Sequence, residues 1–104
     1  NNLPYLKLCI RSIRQNSKFN HQIVPHVNIG SDKTSEFLKN ENIDFTYTDY
    51  NSGICTGMNM ASKKSKFEFI LYSHDDFYFC PGWDIALKNE IEKIGHNRFI
   101  CQVL

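Results

Sequence analysis

Hydrophobic positions along the chain follow two different spacings. Leu3, Leu6, Ile10 and Ile13 recur every three or four residues, as on one face of an amphipathic helix. Residues 43–48 instead alternate apolar and polar side chains, as a half-buried strand does. The two patterns predict helices at residues 3–15, 33–41, 54–65 and 82–94, and strands at residues 22–29, 43–48, 67–73 and 98–103.

Strict alternation of helices and strands predicts a fold of the α/β class, a Rossmann-like layered α/β/α domain with a mostly parallel sheet. Such a domain normally begins with a strand, whereas this sequence begins with a helix, so we expect an incomplete domain that lacks its first strand. Pro25 removes a ladder donor and predicts a bulge or a short strand there. Ser31 or Asp32 is the expected cap of the second helix.

Composition and charge exclude several classes of partner. The chain has 104 residues, of which 41% are hydrophobic, which suits one domain with its own core. Its 12 basic and 11 acidic residues leave a net charge of +1, which gives no electrostatic basis for binding nucleic acid or an anionic membrane. No apolar stretch is long enough to span a bilayer, and the sequence begins with no signal-peptide pattern.

Cysteine spacing bears on the redox compartment. The four cysteines are far apart, and none forms a CxxC pair that would indicate a zinc ribbon or a dithiol redox site. Three of them, Cys80 included, lie among apolar neighbours that indicate core positions, which favours reduced thiols. We therefore expect a cytoplasmic location, with any membrane association provided by segments outside this sequence.

Polar and acidic residues follow three of the predicted strands. Carboxyl ends of parallel strands meet at one edge of a sheet, where open α/β sheets bind their ligands. The strand-end residues are Asn28, Ser31 and Asp32 after the first strand, Asp49, Asn51 and Gly53 after the second, and Ser73, His74, Asp75 and Asp76 after the third. The pattern predicts one shared cleft.

Asp75 and Asp76 are two like charges placed directly after the most apolar predicted strand. Adjacent carboxylates repel each other, and a dry strand end removes part of their hydration. Mg²⁺ or Mn²⁺ would relieve both costs, since these ions bind one or two carboxylates together with substrate phosphate oxygens. The alternative interpretation is a turn that caps the following helix.

The chain resembles a known family in four segments, which come in that family's order. They are YLKLCIRSIRQNS, VNIGSDKTSEFL, NSGICTGMNMA and FEFILYSHDDFYFCPGW. Over residues 5 to about 87 they are similar to the donor-binding half of a family 2 glycosyltransferase with the GT-A fold. The resemblance implies that residues 1–104 form the nucleotide-sugar-binding half of such a domain, without the acceptor half.

The same resemblance implies roles for individual residues. Asn28 falls where the family usually has an acidic residue that contacts the nucleobase, commonly uracil. Ser73 falls where many members have the first aspartate of Asp-x-Asp, so both positions depart from the family pattern. The remaining implied positions are Ser31 and Asp32 on the nucleotide pocket, Asn51, Gly53 and Asn59 beneath the donor, and Asp75 with its neighbour Asp76 on the metal. His74 is a further candidate for the metal or a phosphate, or is simply solvated.

The implied reaction is metal-assisted transfer of a sugar from a nucleotide-diphosphate donor to a hydroxyl of a glycan, lipid or protein, as in polysaccharide biosynthesis. Inversion of configuration is also implied, with a general base that these residues do not supply, so the chain alone is expected to be inactive. Two alternatives stay open. One is a receiver-like, Mg²⁺-binding signalling module, and the other is a catalytically inactive relative that binds sugars or proteins.

Overall fold

A computed structural model describes residues 3–29 and 33–94 of the chain. In chain order its elements are helix α1 (Leu3–Asn16), strand β1 (His26–Asn28), helix α2 (Thr34–Asn40), strand β2 (Thr46–Thr48), helix α3 (Gly53–Ser62) and helix α4 (Trp83–Ile94). The α/β prediction is confirmed, and the predicted strand at residues 98–103 lies outside the described residues. Among the helices described, none is both long and apolar enough to cross a membrane.

The two strands pair in parallel, with His26 opposite Thr46, Val27 opposite Tyr47 and Asn28 opposite Thr48. Strand β1 begins directly after Pro25, whose carbonyl oxygen accepts a hydrogen bond from the Thr46 N–H at 3.0 Å. Proline has a carbonyl acceptor but no N–H donor. It can therefore lie next to a strand, but it cannot make both hydrogen bonds of a regular ladder residue. The short strand predicted from Pro25 is confirmed.

The side chains of β1 contact helices on both faces of the sheet, so the fold has three layers. Val27, only 1% exposed, packs in one core with Ile10 of α1 and with Leu38, which is completely buried in α2. Successive strand residues point to opposite faces, so His26 and Asn28 lie on the other face. Helix α3 packs against that second face. The sheet is therefore covered by α1 and α2 on its apolar side and by α3 on its polar side.

The strand predicted at residues 67–73 is wrong, because this segment has no regular secondary structure. Phe67, Phe69, Ile70 and Leu71 are each at least half exposed. Apolar sequence favours burial, but a strand forms only where a neighbour completes its ladder of hydrogen bonds. Within the described residues the sheet has two strands, β1 and β2, and the segment pairs with neither.

Residues 79–82 are anchored to helix α1 by hydrogen bonds. Ser12 is buried in α1, where its hydroxyl donates to the Cys9 carbonyl at 2.7 Å and accepts from the Phe79 N–H at 2.9 Å. Asn16 donates to the Phe79 carbonyl at 2.7 Å and accepts from the Gly82 N–H at 3.4 Å. Helix α1 thereby positions the start of α4.

A second buried polar group links the segment after α1 to the start of α4. Its members are Lys18, Phe19 and His21 after α1 and Trp83 and Asp84 of α4. The Asp84 carboxylate is 3% exposed and accepts from the backbone N–H groups of Lys18 and Phe19 and from His21 Nε2, all within 3.0 Å. Burial alone would raise the pKa of this carboxyl. The two backbone hydrogen bonds and the His21 contact outweigh it and lower the pKa from 3.8 to about 2. The His21 and Trp83 rings also pack with centroids 5.0 Å apart.

Among the described cysteines only Cys9 is buried, whereas Cys55 and Cys80 are exposed. The interpretation of Cys80 as a core residue is therefore wrong, because it lies in a segment without helix or strand that leaves its side chain exposed. These three thiols are not joined to one another in disulfides.

Candidate functional site

Polar side chains from β1, β2 and the residue before α3 form one group, the strand-end cluster: His26, Asn28, Thr46, Thr48 and Ser52. His26 lies opposite Thr46 and Asn28 opposite Thr48 in the parallel register, so the four strand residues share one face of the sheet. Ser52 precedes α3, which covers that face. The cluster brings together side chains from two strand ends and the residue before a helix, and it includes none of the residues after the third predicted strand.

Asn28 connects the two strands of the strand-end cluster to the start of α3. Its Oδ1 atom accepts a hydrogen bond from the Ser52 N–H at 3.2 Å, and it also lies 2.9 Å from Ser52 Oγ and 3.0 Å from Thr48 Oγ. Thr48 is itself buried, and its hydroxyl also lies within 2.8 Å of the Tyr50 carbonyl. The carboxamide is thus tied to both β2 and the start of α3.

His26 extends the strand-end cluster toward helix α3. Its Nδ1 atom lies 2.7 Å from Thr46 Oγ, and its Nε2 atom lies 3.1 Å from Asn28 Oδ1 and 3.2 Å from Ser52 Oγ. The other side of the ring meets Gly57, where an added Cβ would come within 2.6 Å of His26 Cδ2. Glycine at position 57 therefore permits the close approach of α3 to the sheet.

Strand β1 ends in an unusual backbone conformation. Ile29 has a φ of 69°, in the left-handed region that β-branched residues rarely adopt. Its N–H donates to the Thr48 carbonyl at 2.8 Å, and its own carbonyl accepts from the Tyr47 hydroxyl at 3.1 Å. These two hydrogen bonds hold Ile29 in a strained backbone conformation next to the strand-end cluster. A conformation of this kind costs about 1–3 kcal/mol.

We expect Ile29→Gly to raise the free energy of unfolding by about 1 kcal/mol, because glycine adopts a positive φ without steric cost. Ile29 is half exposed, so little buried apolar area is lost. Urea denaturation measures the change. Ile54→Gly is the matched control, since Ile54 is an exposed residue of helix α3, and the same substitution there should lower stability by about 1 kcal/mol. Equal losses in the two variants would contradict the strain at Ile29.

Asn51 and Gly53 lie beside the strand-end cluster, where α3 begins. Asn51 Oδ1 accepts a hydrogen bond from the Gly53 N–H at 3.1 Å, so the side chain closes the turn before the helix. Gly53 has a φ of 79°, and a Cβ there would meet no atom within 4 Å. Asn59, further along α3, has an exposed side chain. A side chain at position 53 would therefore extend into open space, whereas Ser31 and Asp32 lie outside the described residues.

Asp75 and Asp76 are exposed and lie beside helix α1. The Cys9 thiol is 3.9 Å from the His74 carbonyl oxygen. Burial first, and then the negative charges of Asp75 and Asp76, raise the pKa of this thiol. The carboxylates are therefore close to α1, whereas Asn28 contacts Thr48 of β2 and Ser52 at the start of α3.

The side chains of Ser73 and His74 contact neighbours in their own segment. The Ser73 hydroxyl donates to the His74 carbonyl at 3.0 Å. The His74 ring packs between Tyr72 and Phe77, with centroid separations of 5.4 and 5.5 Å. An imidazole held between two aromatic rings has a packing role in this arrangement.

Metal binding by Asp75 and Asp76 would need further ligands, such as phosphate oxygens and water. Within residues 3–29 and 33–94, no group of three or more His, Cys, Asp or Glu side chains is arranged to hold an ion. Two exposed, adjacent carboxylates still fit Mg²⁺ or Mn²⁺, because such ions commonly take only one or two protein carboxylates and complete their shell with phosphates and water.

His26, Thr46, Thr48 and Ser52 were given no role in the sequence analysis. Their signal was the alternation of polar residues on two short strands, His26 with Asn28 and Thr46 with Thr48. Alternation places such residues on one face, but only the parallel register shows that the two polar faces are the same face.

Comparison with known proteins identifies a family. The model of a family described as "Glycosyl transferase family 2" matches residues 1–104 of the chain. No curated protein and no solved structure gives a significant match. Members of the matched family generally use nucleotide-sugar donors, and divalent metals with them.

Proposed function

Because the chain belongs to glycosyl transferase family 2, we propose that it binds a nucleotide-diphosphate sugar across the carboxyl ends of its strands. The sugar is then transferred to a hydroxyl of a glycan, lipid or protein acceptor. The observation that carries the proposal is the convergence of Asn28, Thr48 and Ser52 beside the open space at Gly53, within a chain matched by this family from end to end. Residues 1–104 are proposed as the donor-binding half of the domain.

Each part of the donor would be bound by a different group of residues. Asn28, with Ser31 and Asp32, is proposed to bind the nucleoside, and Asn51 and Gly53 the part of the donor above α3. The backbone at Gly53 can approach a ligand closely, because no side chain intervenes there. Asn59 is proposed as a further hydrogen-bonding residue toward the sugar, and Ser73 and His74 as neighbours of the diphosphate.

Asp75 and Asp76 are proposed to hold Mg²⁺ or Mn²⁺ together with the donor diphosphate. When bound, the ion would supply positive charge that stabilises the leaving nucleoside diphosphate. The two carboxylates would hold the ion, and its positive charge would offset the repulsion between their adjacent negative charges. Direct attack of the acceptor hydroxyl on the anomeric carbon would invert its configuration. None of the described residues is assigned as the general base for that step.

The proposal predicts metal-dependent donor binding by the intact protein. A nucleoside diphosphate at 100 times its dissociation constant should stabilise the fold by about 2.7 kcal/mol. We expect this stabilisation in thermal unfolding with Mn²⁺ and a much smaller one with EDTA. At the same Mn²⁺ concentration the Asp75→Asn variant should lose most of this stabilisation, because one carboxylate ligand of the ion is gone.

Glu68→Gln is the matched control for this experiment, since Glu68 is an exposed carboxylate on the same irregular segment. It removes one negative charge without touching the proposed ion, so the response should match that of the unmodified protein. Stabilisation by a phosphoryl mimic such as beryllium fluoride, without any nucleotide effect, would favour the receiver-like alternative. No response to either ligand would favour an inactive relative that binds other partners.

A further inference from the structure

Asp75 and Asp76 occupy the two central positions of one turn, which we call the acidic turn (residues 74–77). The Phe77 N–H donates to the His74 carbonyl oxygen at 3.5 Å, the hydrogen bond that closes a β-turn. Both carboxylates are exposed, and the residues on either side of the turn form no helix or strand. The arrangement of the two carboxylates therefore depends on what holds the chain before and after the turn.

One face of helix α1 contacts the chain on both sides of the acidic turn. The Cys9 thiol lies 3.9 Å from the His74 carbonyl oxygen, at the beginning of the turn. Ser12, which is 1% exposed, accepts a hydrogen bond from the Phe79 N–H at 2.9 Å, just beyond the turn. Residues 9 and 12 lie on the same side of the helix, because side chains three positions apart share a face. The chain between these two contacts carries both aspartates.

Side chains of α1 bind both backbone groups of Phe79. The Ser12 hydroxyl donates its hydrogen to the Cys9 carbonyl at 2.7 Å, so its oxygen remains an acceptor for the Phe79 N–H. Asn16, one helical turn further along, donates from its carboxamide to the Phe79 carbonyl at 2.7 Å. These side chains supply the hydrogen bonds that a neighbouring strand would supply to a segment in a sheet.

We infer that Ser12 is a positioning residue for the candidate metal site, because its hydrogen bond to Phe79 keeps the acidic turn docked on α1. This inference rests on the proposed function, which assigns a divalent cation to Asp75 and Asp76. A mobile turn would place the two carboxylates in many arrangements, whereas an ion held by both of them requires a particular one. Docking on α1 restricts those arrangements in advance, so Ser12 raises the affinity for the ion without contacting it.

The test measures the binding of Mn²⁺ alone to the intact protein, by water proton relaxation. Ser12→Ala removes the acceptor of the Phe79 N–H and should weaken Mn²⁺ binding about fivefold, because a smaller fraction of molecules keeps the turn docked. Asp75→Asn should weaken binding at least as much, since it removes a proposed ligand. If Ser12→Ala does not fold, Asn16→Ala, which removes the donor to the Phe79 carbonyl, carries the same expectation.

Ser17→Ala is the matched control for Ser12→Ala. The Ser17 hydroxyl accepts a hydrogen bond from the Trp83 indole N–H at 3.0 Å, so this variant also loses one bond between the α1 region and a distant part of the chain. It should lower stability by a similar amount but leave Mn²⁺ binding unchanged. Equal Mn²⁺ affinities in the two serine variants would show that Ser12 has a structural role alone, and would overturn the inference.

The two proposals fail in different ways. If the unmodified protein binds no Mn²⁺, or if Asp75→Asn binds it equally well, the proposed metal site fails, and the positioning role of Ser12 fails with it. If Mn²⁺ binding depends on Asp75 but is unchanged in Ser12→Ala and Asn16→Ala, the proposed function stands and only the positioning role is overturned.

Discussion

Asp84→Ala should lower the free energy of unfolding by about 3 kcal/mol. The buried carboxylate accepts from the N–H groups of Lys18 and Phe19 and from His21. Its removal leaves the two backbone donors without this acceptor, at about 1–3 kcal/mol for each group that stays buried. Chemical denaturation measures the loss. Glu90→Gln, on the exposed surface of the same helix, is the control and should change stability by less than about 0.5 kcal/mol.

The pH dependence of stability separates the charge of Asp84 from its shape. The pKa of this carboxyl falls from 3.8 to about 2 on folding, so its ionised form stabilises the fold fully above about pH 4. That stabilisation is lost as the pH falls from about 4 to about 2. Asp84→Asn keeps the shape without the charge, so the stability difference between this variant and the unmodified protein should vanish over the same interval. A difference that stays constant from pH 6 to pH 2 would contradict the lowered pKa.

Asp75→Asn should reduce sugar transfer by the intact protein about a hundredfold or more. The proposed ion stabilises charge on the leaving diphosphate, and such stabilisation contributes several kcal/mol, at 1.36 kcal/mol for each factor of ten. Asparagine keeps the size of the side chain but is a weaker ligand for a hard cation. Release of nucleoside diphosphate at saturating donor, followed as a function of Mn²⁺ concentration, measures the effect.

The dependence on Mn²⁺ gives the Asp75 experiment its control. The variant should need a higher Mn²⁺ concentration for half-maximal rate, and Asp76→Asn should show a smaller change if Asp76 only assists. Glu68→Gln should leave both the rate and the Mn²⁺ requirement unchanged. Full activity of Asp75→Asn at the Mn²⁺ concentration that half-saturates the unmodified protein would remove Asp75 from the proposed metal site.

The helices could be predicted from local pattern. The helix predicted at residues 3–15 is observed as Leu3–Asn16, and that at 82–94 as Trp83–Ile94. Helical periodicity is a short-range property, because side chains three or four positions apart share a face. The expected cap of α2 was less accurate, since Lys33 occupies the position before Thr34 and makes no side-chain capping bond.

Strands were predicted less well, because pairing is a long-range property. Residues 67–73 carry the strongest apolar pattern in the chain but pair with no strand among the described residues. Residues 43–48 shorten to Thr46–Thr48 for the same reason, since only those residues find partners in β1. The sequence pattern of a segment indicates that it can form a buried strand. Whether the strand forms depends on a neighbouring strand that pairs with it.

The candidate site shows the same division. Asn28, Asn51 and Gly53 were identified from their places after predicted strands, and the structure brings them to one edge of the sheet. The orientation of Asn28 was not predictable, because it depends on Ser52, which lies 24 positions further along the chain.

By itself the sequence determined the α/β class, the helices and the family, since each depends on patterns that a few neighbouring residues carry. Tertiary structure alone decided that Asn28 presents its oxygen to the fold, that Asp84 is buried against Lys18, and that the apolar residues after Lys66 stay exposed. Each of these depends on a hydrogen-bond partner distant in sequence. The packing of whole helices and strands decides which distant groups pair, and a local sequence pattern does not determine that packing.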